Sequence, residues 1–170
     1  METLERFLAR HPFFEALDPE YLRLLVGCAS NVRFEAKTYI CRRGEHANQF
    51  YLLRQGRVAL EVFAPQCPPI TIATLEKDDV LGWSWVVEPY YWHLDARAVE
   101  LTRAIALDGK CLRTKCEENH DLGYELMKRV SEIVKWELRK AQQPRGFASM
   151  VKKPSPWMHL SQPCVICGCG

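Results

Sequence analysis

The chain has 170 residues, 48% hydrophobic and 26% charged, which suits one globular domain with a real core and some chain to spare. A net charge of +2 makes no general electrostatic case for nucleic acid, and no apolar run is long enough to span a bilayer. Met1-Glu2-Thr3-Leu4-Glu5 is acidic, unlike a secretory signal, so a soluble, cytoplasmic chain is expected.

Leu4, Phe7 and Leu8 at i, i+3, i+4 predict an amphipathic helix over 2–10, ended by His11-Pro12. Asp18-Pro19-Glu20 is a helix start, and Tyr21, Leu22, Leu24 and Leu25 carry that helix to about Cys28. From Val32 to Leu107 the chain reads as strands. Tyr39 and Cys41 alternate with polar neighbours before Arg43-Gly44-Glu45 breaks the pattern, and Phe50–Leu53 is a wholly apolar run typical of buried strands. Gln55-Gly56 is a two-residue turn signal followed by alternating Val58, Leu60 and Val62, which predicts a hairpin. Thr71–Leu75, the turn Lys77-Asp78-Asp79 and Val80-Leu81-Gly82 come next. Residues 83–92, WSWVVEPYYW, then hold three of the five tryptophans. Strand signals resume at Ala96–Val99 and Ala104–Leu107. Asp108-Gly109 precedes a short helix over 110–119, and His120-Asp121 caps a long one from Leu122 to about Gln143, stopped by Pro144. Closely spaced short strands with glycine corners describe a mainly β double-stranded β-helix, or jelly roll, flanked by N-terminal helices and a long C-terminal helix.

Arg43-Gly44-Glu45, Phe50-Tyr51-Leu52-Leu53, Gln55-Gly56-Arg57-Val58 and Asp79-Val80-Leu81-Gly82 resemble the signature of cyclic-nucleotide-binding domains. These are the sensory modules of the catabolite-activator and fumarate/nitrate-regulator superfamily and of cyclic-nucleotide-gated kinases and channels. The resemblance covers roughly residues 2–143, and His11-Pro12-Phe13-Phe14 with Leu17, Pro19 and Leu22 is similar to the family's helical lead-in. It implies a ligand-binding barrel, with cyclic AMP or cyclic GMP as the ligand.

In that family a glycine-containing turn offers backbone N–H groups to the phosphate, an arginine neutralises it, and a glutamate accepts from the ribose. The equivalent glycine here is Gly82. Trp83 stands where the resemblance places the glutamate, and no arginine occurs between Trp83 and Ala96. His93 falls where the arginine belongs and is a weaker, pH-dependent substitute; Arg97 comes later. The candidate ligand-binding residues are therefore Gly82, Trp83, Ser84, Trp85, His93 and Arg97. Three readings of residues 82–98 stand open: an altered cyclic-nucleotide site, a site for a flatter and more apolar ligand, or a pocket filled by Trp83, Trp85 and Trp92.

On the long helix Leu122, Leu126, Val130, Ile133, Val134 and Leu138 form an apolar stripe. It packs either on its own barrel or on a second subunit. The resemblance implies the second, since this position matches the regulators' dimerisation helix, so Leu122, Leu126, Val130, Ile133 and Leu138 are the candidate dimer residues of a homodimer. Residues 1–143 are expected to form the domain, and 144–170 a disordered tail rich in Pro, Gly, Ser and Cys, too short for the winged helix-turn-helix of the regulators. Sequence-specific DNA binding by this chain is not expected. Cys164, Cys167 and Cys169 have C-x-x-C-x-C spacing that suits zinc or an iron–sulfur cluster, but lack a second knuckle. Cys28, Cys41, Cys67, Cys111 and Cys116 read as small buried hydrophobes or thiols rather than a disulfide framework.

No G-x-S-x-G, H-E-x-x-H or G-x-x-x-x-G-K pattern is present, and His46, His93 and His120 have no evident nucleophilic or acidic partner. The expected function is a non-enzymatic regulatory or sensor domain that takes a small-molecule effector in the barrel and signals through its C-terminal helix. The alternatives are a partner-binding module with an aromatic-plugged pocket, and a metal- or redox-responsive regulator acting through the terminal cysteines.

Overall fold

Local capping sets the helical lead-in of the computed structural model, which describes residues 3–63 and 66–142. The Thr3 hydroxyl accepts from the Arg6 amide (3.3 Å) to start helix α1 (Leu4–Arg10). Pro12 cannot continue that helix, and the His11 ring instead accepts from the Phe13 amide (3.2 Å), capping a 3-10 turn over Pro12–Phe14. Asp18 accepts from the Glu20 amide (2.8 Å) and Pro19 opens α2 (Pro19–Val26).

Eight strands follow: β1 (Ala29–Phe34), β2 (Tyr39–Cys41), β3 (Gln49–Gln55), β4 (Val58–Val62), β5 (Ile70–Leu75), β6 (Val80–Leu81), β7 (Asp95–Ala98) and β8 (Thr102–Asp108). They form two antiparallel four-stranded sheets, ordered β1-β8-β3-β6 and β2-β7-β4-β5. Asp108 accepts from the Cys111 amide (2.7 Å) to start α3 (Gly109–Glu118), and α4 (His120–Gln142) follows. The mainly β jelly roll flanked by helices is thus present. No helix among the described residues is long and apolar enough to cross a membrane.

The Phe50–Leu53 run is apolar throughout because β3 is buried on both faces. Phe50 and Leu52 point to a helical core with Leu8, Phe14, Leu25, Leu112 and Leu126. Tyr51 and Leu53 point between the sheets, to Val58, Leu60, Leu75 and Ala104.

Three expectations are corrected here. The strands flanking Gln55-Gly56 are not a hairpin: β3 pairs with β6 and β8, whereas β4 pairs with β5 and β7, so the turn carries the chain from one sheet to the other. Gly56 has φ +95°, and a Cβ there would lie 2.6 Å from the Leu101 carbonyl oxygen, so the corner admits only glycine. Cys28 and Cys111 form a disulfide rather than standing as separate thiols. The Asp108 amide bonds to the Cys28 carbonyl (2.9 Å), which sets the first turn of α3 over the end of α2 with Cα atoms 5.7 Å apart. Finally, Leu122, Leu126 and Val130 lie buried in the chain's own helical core with Ile133 packed against it, so they are not a free dimer face. Of the five candidates Leu138 alone is well exposed, at 58%.

His11 is buried to 2% exposure, and desolvation lowers its pKa to about 4 although Asp78 pulls the other way. The unfolded chain takes up that proton near pH 6.5 and the folded one only near 4, so stability falls as pH drops through this window. Urea denaturation should show a loss of about 2 kcal/mol between pH 7 and 5 from this group. His11→Asn, whose side-chain oxygen keeps the cap, should remove that slope; an unchanged slope would show that His11 is not buried neutral.

Candidate functional site

The pocket is built at the mouth of the barrel, where β6 ends at Gly82 with φ +92°. Any side chain there meets an obstacle, because a Cβ would lie 2.4 Å from the Cη2 and Cζ3 atoms of Trp92. The Trp92 ring therefore rests on the bare Cα of Gly82. Its backbone is clamped by the Arg43-Gly44-Glu45 turn: the Gly44 amide donates to the Trp92 carbonyl (2.9 Å), and the Trp92 amide donates to the Glu45 carbonyl (2.8 Å). The Arg43 amide in turn donates to Asp95 (2.6 Å). Tyr51 lies parallel to the Trp92 ring at 6.5 Å, and Trp92 is 8% exposed.

Beside this plug is a polar chain that crosses to α4. His93 Nδ1 and the Ser84 hydroxyl are 3.0 Å apart, and the His93 ring stacks on Trp83 at 4.9 Å. The Trp83 indole N–H donates to Glu137 of α4 (2.8 Å). Burial raises the Glu137 carboxyl above the ordinary range, opposed by the Trp83 hydrogen bond and by His93. What space is left between Gly82, Trp83, Trp92, His93 and Glu137 amounts to about 20 Å³, room for a single water.

The structure brings Gly82, Trp83, Ser84 and His93 together and leaves the other two candidates elsewhere. Trp85 is not in the pocket. The turn after Ser84 sends successive side chains in opposite directions, so Trp85 is buried in the helical core 6.0 Å from Phe50, its carbonyl accepting from Arg113 (2.7 Å). Nor does Arg97 supply the missing phosphate cation. It lies on β7 with its guanidinium Nε on the buried Glu61 carboxylate (3.1 Å) and Nη2 bonded to the same group. Sequence reading missed Glu137, which interrupts the apolar stripe of α4 four residues after Ile133 and has no local motif to mark it. The terminal Cys164, Cys167 and Cys169 lie outside the described residues, among which no group of three or more metal-ligating side chains occurs.

Gly82→Ala should evict the Trp92 ring and force an alanine into a left-handed backbone. An expected loss of about 2–4 kcal/mol in chemical denaturation, with a blue-to-red shift in tryptophan emission, checks the contact. A neutral substitution would show that the ring does not rest there.

The description "Cyclic nucleotide-binding domain" matches residues 31–119. The anaerobic regulatory protein of Bacillus subtilis (strain 168) is 25% identical over 119 residues, which is 69% of this chain and 50% of that protein. The chain thus spans about half the length of that relative. A solved protein of Geobacter metallireducens GS-15 superposes with a TM-score of 0.70 at 27% identity, over 81% of this chain and 99% of that one. The regulatory domain of Toxoplasma gondii PKA, crystallised with cAMP, superposes with a TM-score of 0.62 at 18% identity, over 80% of this chain and 48% of that one. With two four-stranded sheets, the Gly82 turn and a match over more than half its length, this chain belongs to the cyclic nucleotide-binding domain family.

Proposed function

We propose that this chain is a non-enzymatic regulatory domain whose nucleotide pocket is occupied by its own side chains, and that it works by presenting α4 to a second copy. The observation that carries the reading is the Trp92 ring against Gly82, which leaves about 20 Å³ where ligand pockets of this kind offer hundreds. Electrostatics point the same way. A cyclic phosphate would meet the Glu137 carboxylate and no arginine, since Arg97 is held by Glu61. An uncompensated phosphate in such a site costs several kcal/mol, or a few decades of affinity. The effector implied by the family resemblance, cyclic AMP or cyclic GMP, is therefore not the working ligand of this pocket.

On α4 the residues left in solvent have their own order. Tyr124, Met127, Ser131, Val134 and Leu138 are spaced 3, 4, 3 and 4, the period of a coiled-coil seam. Tyr124 is 65% exposed and Met127 46%, while Val134 is half-buried. This face, beside the buried row of Leu122, Leu126 and Val130, is the homodimer surface.

Calorimetric titration of the wild-type protein with cyclic AMP and cyclic GMP should give no saturable heat to about 1 mM, the equivalent of 4 kcal/mol of binding free energy. A dissociation constant in the micromolar range for either nucleotide would sink the self-occupied reading. Separately, sedimentation equilibrium should show a dimer at about 100 µM protein. Leu138→Glu should weaken it at least tenfold while leaving the circular dichroism unchanged. A wild-type monomer at that concentration would remove the seam.

A further inference from the structure

A second cavity lies away from the barrel mouth and shares no residue with it. Three separate stretches build it: the 3-10 turn contributes Phe13, the turn into β6 contributes Asp78 and Asp79 with Val80 of β6 itself, and α4 contributes Ile133 and Trp136. Its volume is about 360 Å³, the size that holds a small organic molecule. Phe13 is fixed by edge-to-face contact with Phe14 (4.9 Å) and by Phe50 (5.0 Å), so this wall is anchored in the helical core.

Carboxylates predominate on the walls, although Glu132 is paired with Lys135 (3.3 Å). Asp78, Asp79 and Glu132 border the cavity, and Arg129 is the one cation among its lining residues. Arg129 is turned to other partners: one Nη donates to the Glu125 carboxylate (2.8 Å) and the other to the Glu15 carbonyl (2.8 Å). Asp79 gives an oxygen to the Glu76 amide (2.8 Å), which holds its carboxylate in the turn. Asp78 has a long contact to Lys77 (3.9 Å) and also acts on His11. The Trp136 ring already takes one ammonium: Lys140, which lines a separate groove with Thr71–Thr74 and Glu76, stands 5.5 Å from its centroid. Its charge is also felt at Asp79, where burial and the neighbouring acids hold the carboxyl above its usual range.

We propose that this groove is a binding site for a small organic cation with an apolar body, an aryl- or alkylamine, its stem lying between Phe13, Val80 and Ile133 and its ammonium between Trp136 and the Asp78–Asp79 carboxylates. The positive charge of Lys140, felt at Asp79, opposes such a ligand. The proposal does not depend on how the barrel pocket is read, because the two cavities are separate.

The test is titration of the full chain with phenethylamine, followed by the Trp136 indole ¹⁵N–¹H signal, which Trp136→Phe assigns by deletion. Saturable shifts of that signal with a dissociation constant of about 1 mM or tighter are expected. Neutral 2-phenylethanol should bind at least about fivefold more weakly, since it lacks the charge. Asp79→Asn should weaken the amine by a similar factor, and Lys140→Met should tighten it. Should Asp79→Asn unfold the turn, the surface pair Asp78→Asn and Glu132→Gln carries the same test. Equal affinity for amine and alcohol would overturn the proposal, as would shifts that leave the Trp136 signal unmoved. Binding of a lysine-containing hexapeptide with none of the free amine would overturn it too, pointing to a protein partner instead.

Discussion

Burial of β3 on both faces is the constraint on which the rest of this structure depends. One strand serves as the wall of two cores: Phe50 and Leu52 meet the helices, while Tyr51 and Leu53 meet the opposite sheet. Because alternate residues point to opposite faces, the strand has no solvent side, and a one-residue slip would exchange the aromatic and aliphatic contacts of both cores at once. The same strand sets the site. Tyr51 is the surface on which Trp92 lies, and Phe50 is the surface on which Trp85 lies, so the two tryptophans are sorted to different cores by neighbours one residue apart.

Much of this was legible from residues in order. The caps at Asp18 and Asp108, the strand segments and the long C-terminal helix follow from local patterns, whereas Gly82, Trp83, Ser84 and His93, which the structure brings together, were pointed to by the family resemblance. What was not legible depends on which distant segments meet. Gln55-Gly56 is the same signal whether a chain folds back on its own sheet or crosses to the other, and only the partners of β3 and β4 decide. Cys28 and Cys111 are 83 residues apart in sequence, and nothing near either marks the other. On α4 two apolar rows run side by side. The more hydrophobic of them belongs to the core, and the weaker row containing Tyr124 and Met127 is left outside. Glu137 gains its meaning only from the indole 54 positions earlier that donates to it.

Charge is distributed with a consistent sense around α4. At the barrel mouth the helix presents Glu137, and farther along its length it presents Glu132 beside the turn that carries Asp78 and Asp79. The arginines near these places are already engaged, Arg97 by Glu61 and Arg129 by Glu125 and Glu15. The fold that elsewhere in the family cradles a phosphate here offers carboxylates on both sides of its C-terminal helix.

The contact between Gly82 and Trp92 also has a hereditary side. Neither residue is free to drift while the other stays: any side chain at 82 strikes the ring, and any smaller residue at 92 leaves a hole beneath it. Recovering an open phosphate site would need the ring removed, an arginine introduced and Glu137 replaced, and the first of these steps alone loses packing before any ligand compensates. Opening this pocket by single substitutions therefore begins with a loss of packing, whichever member of the pair changes first.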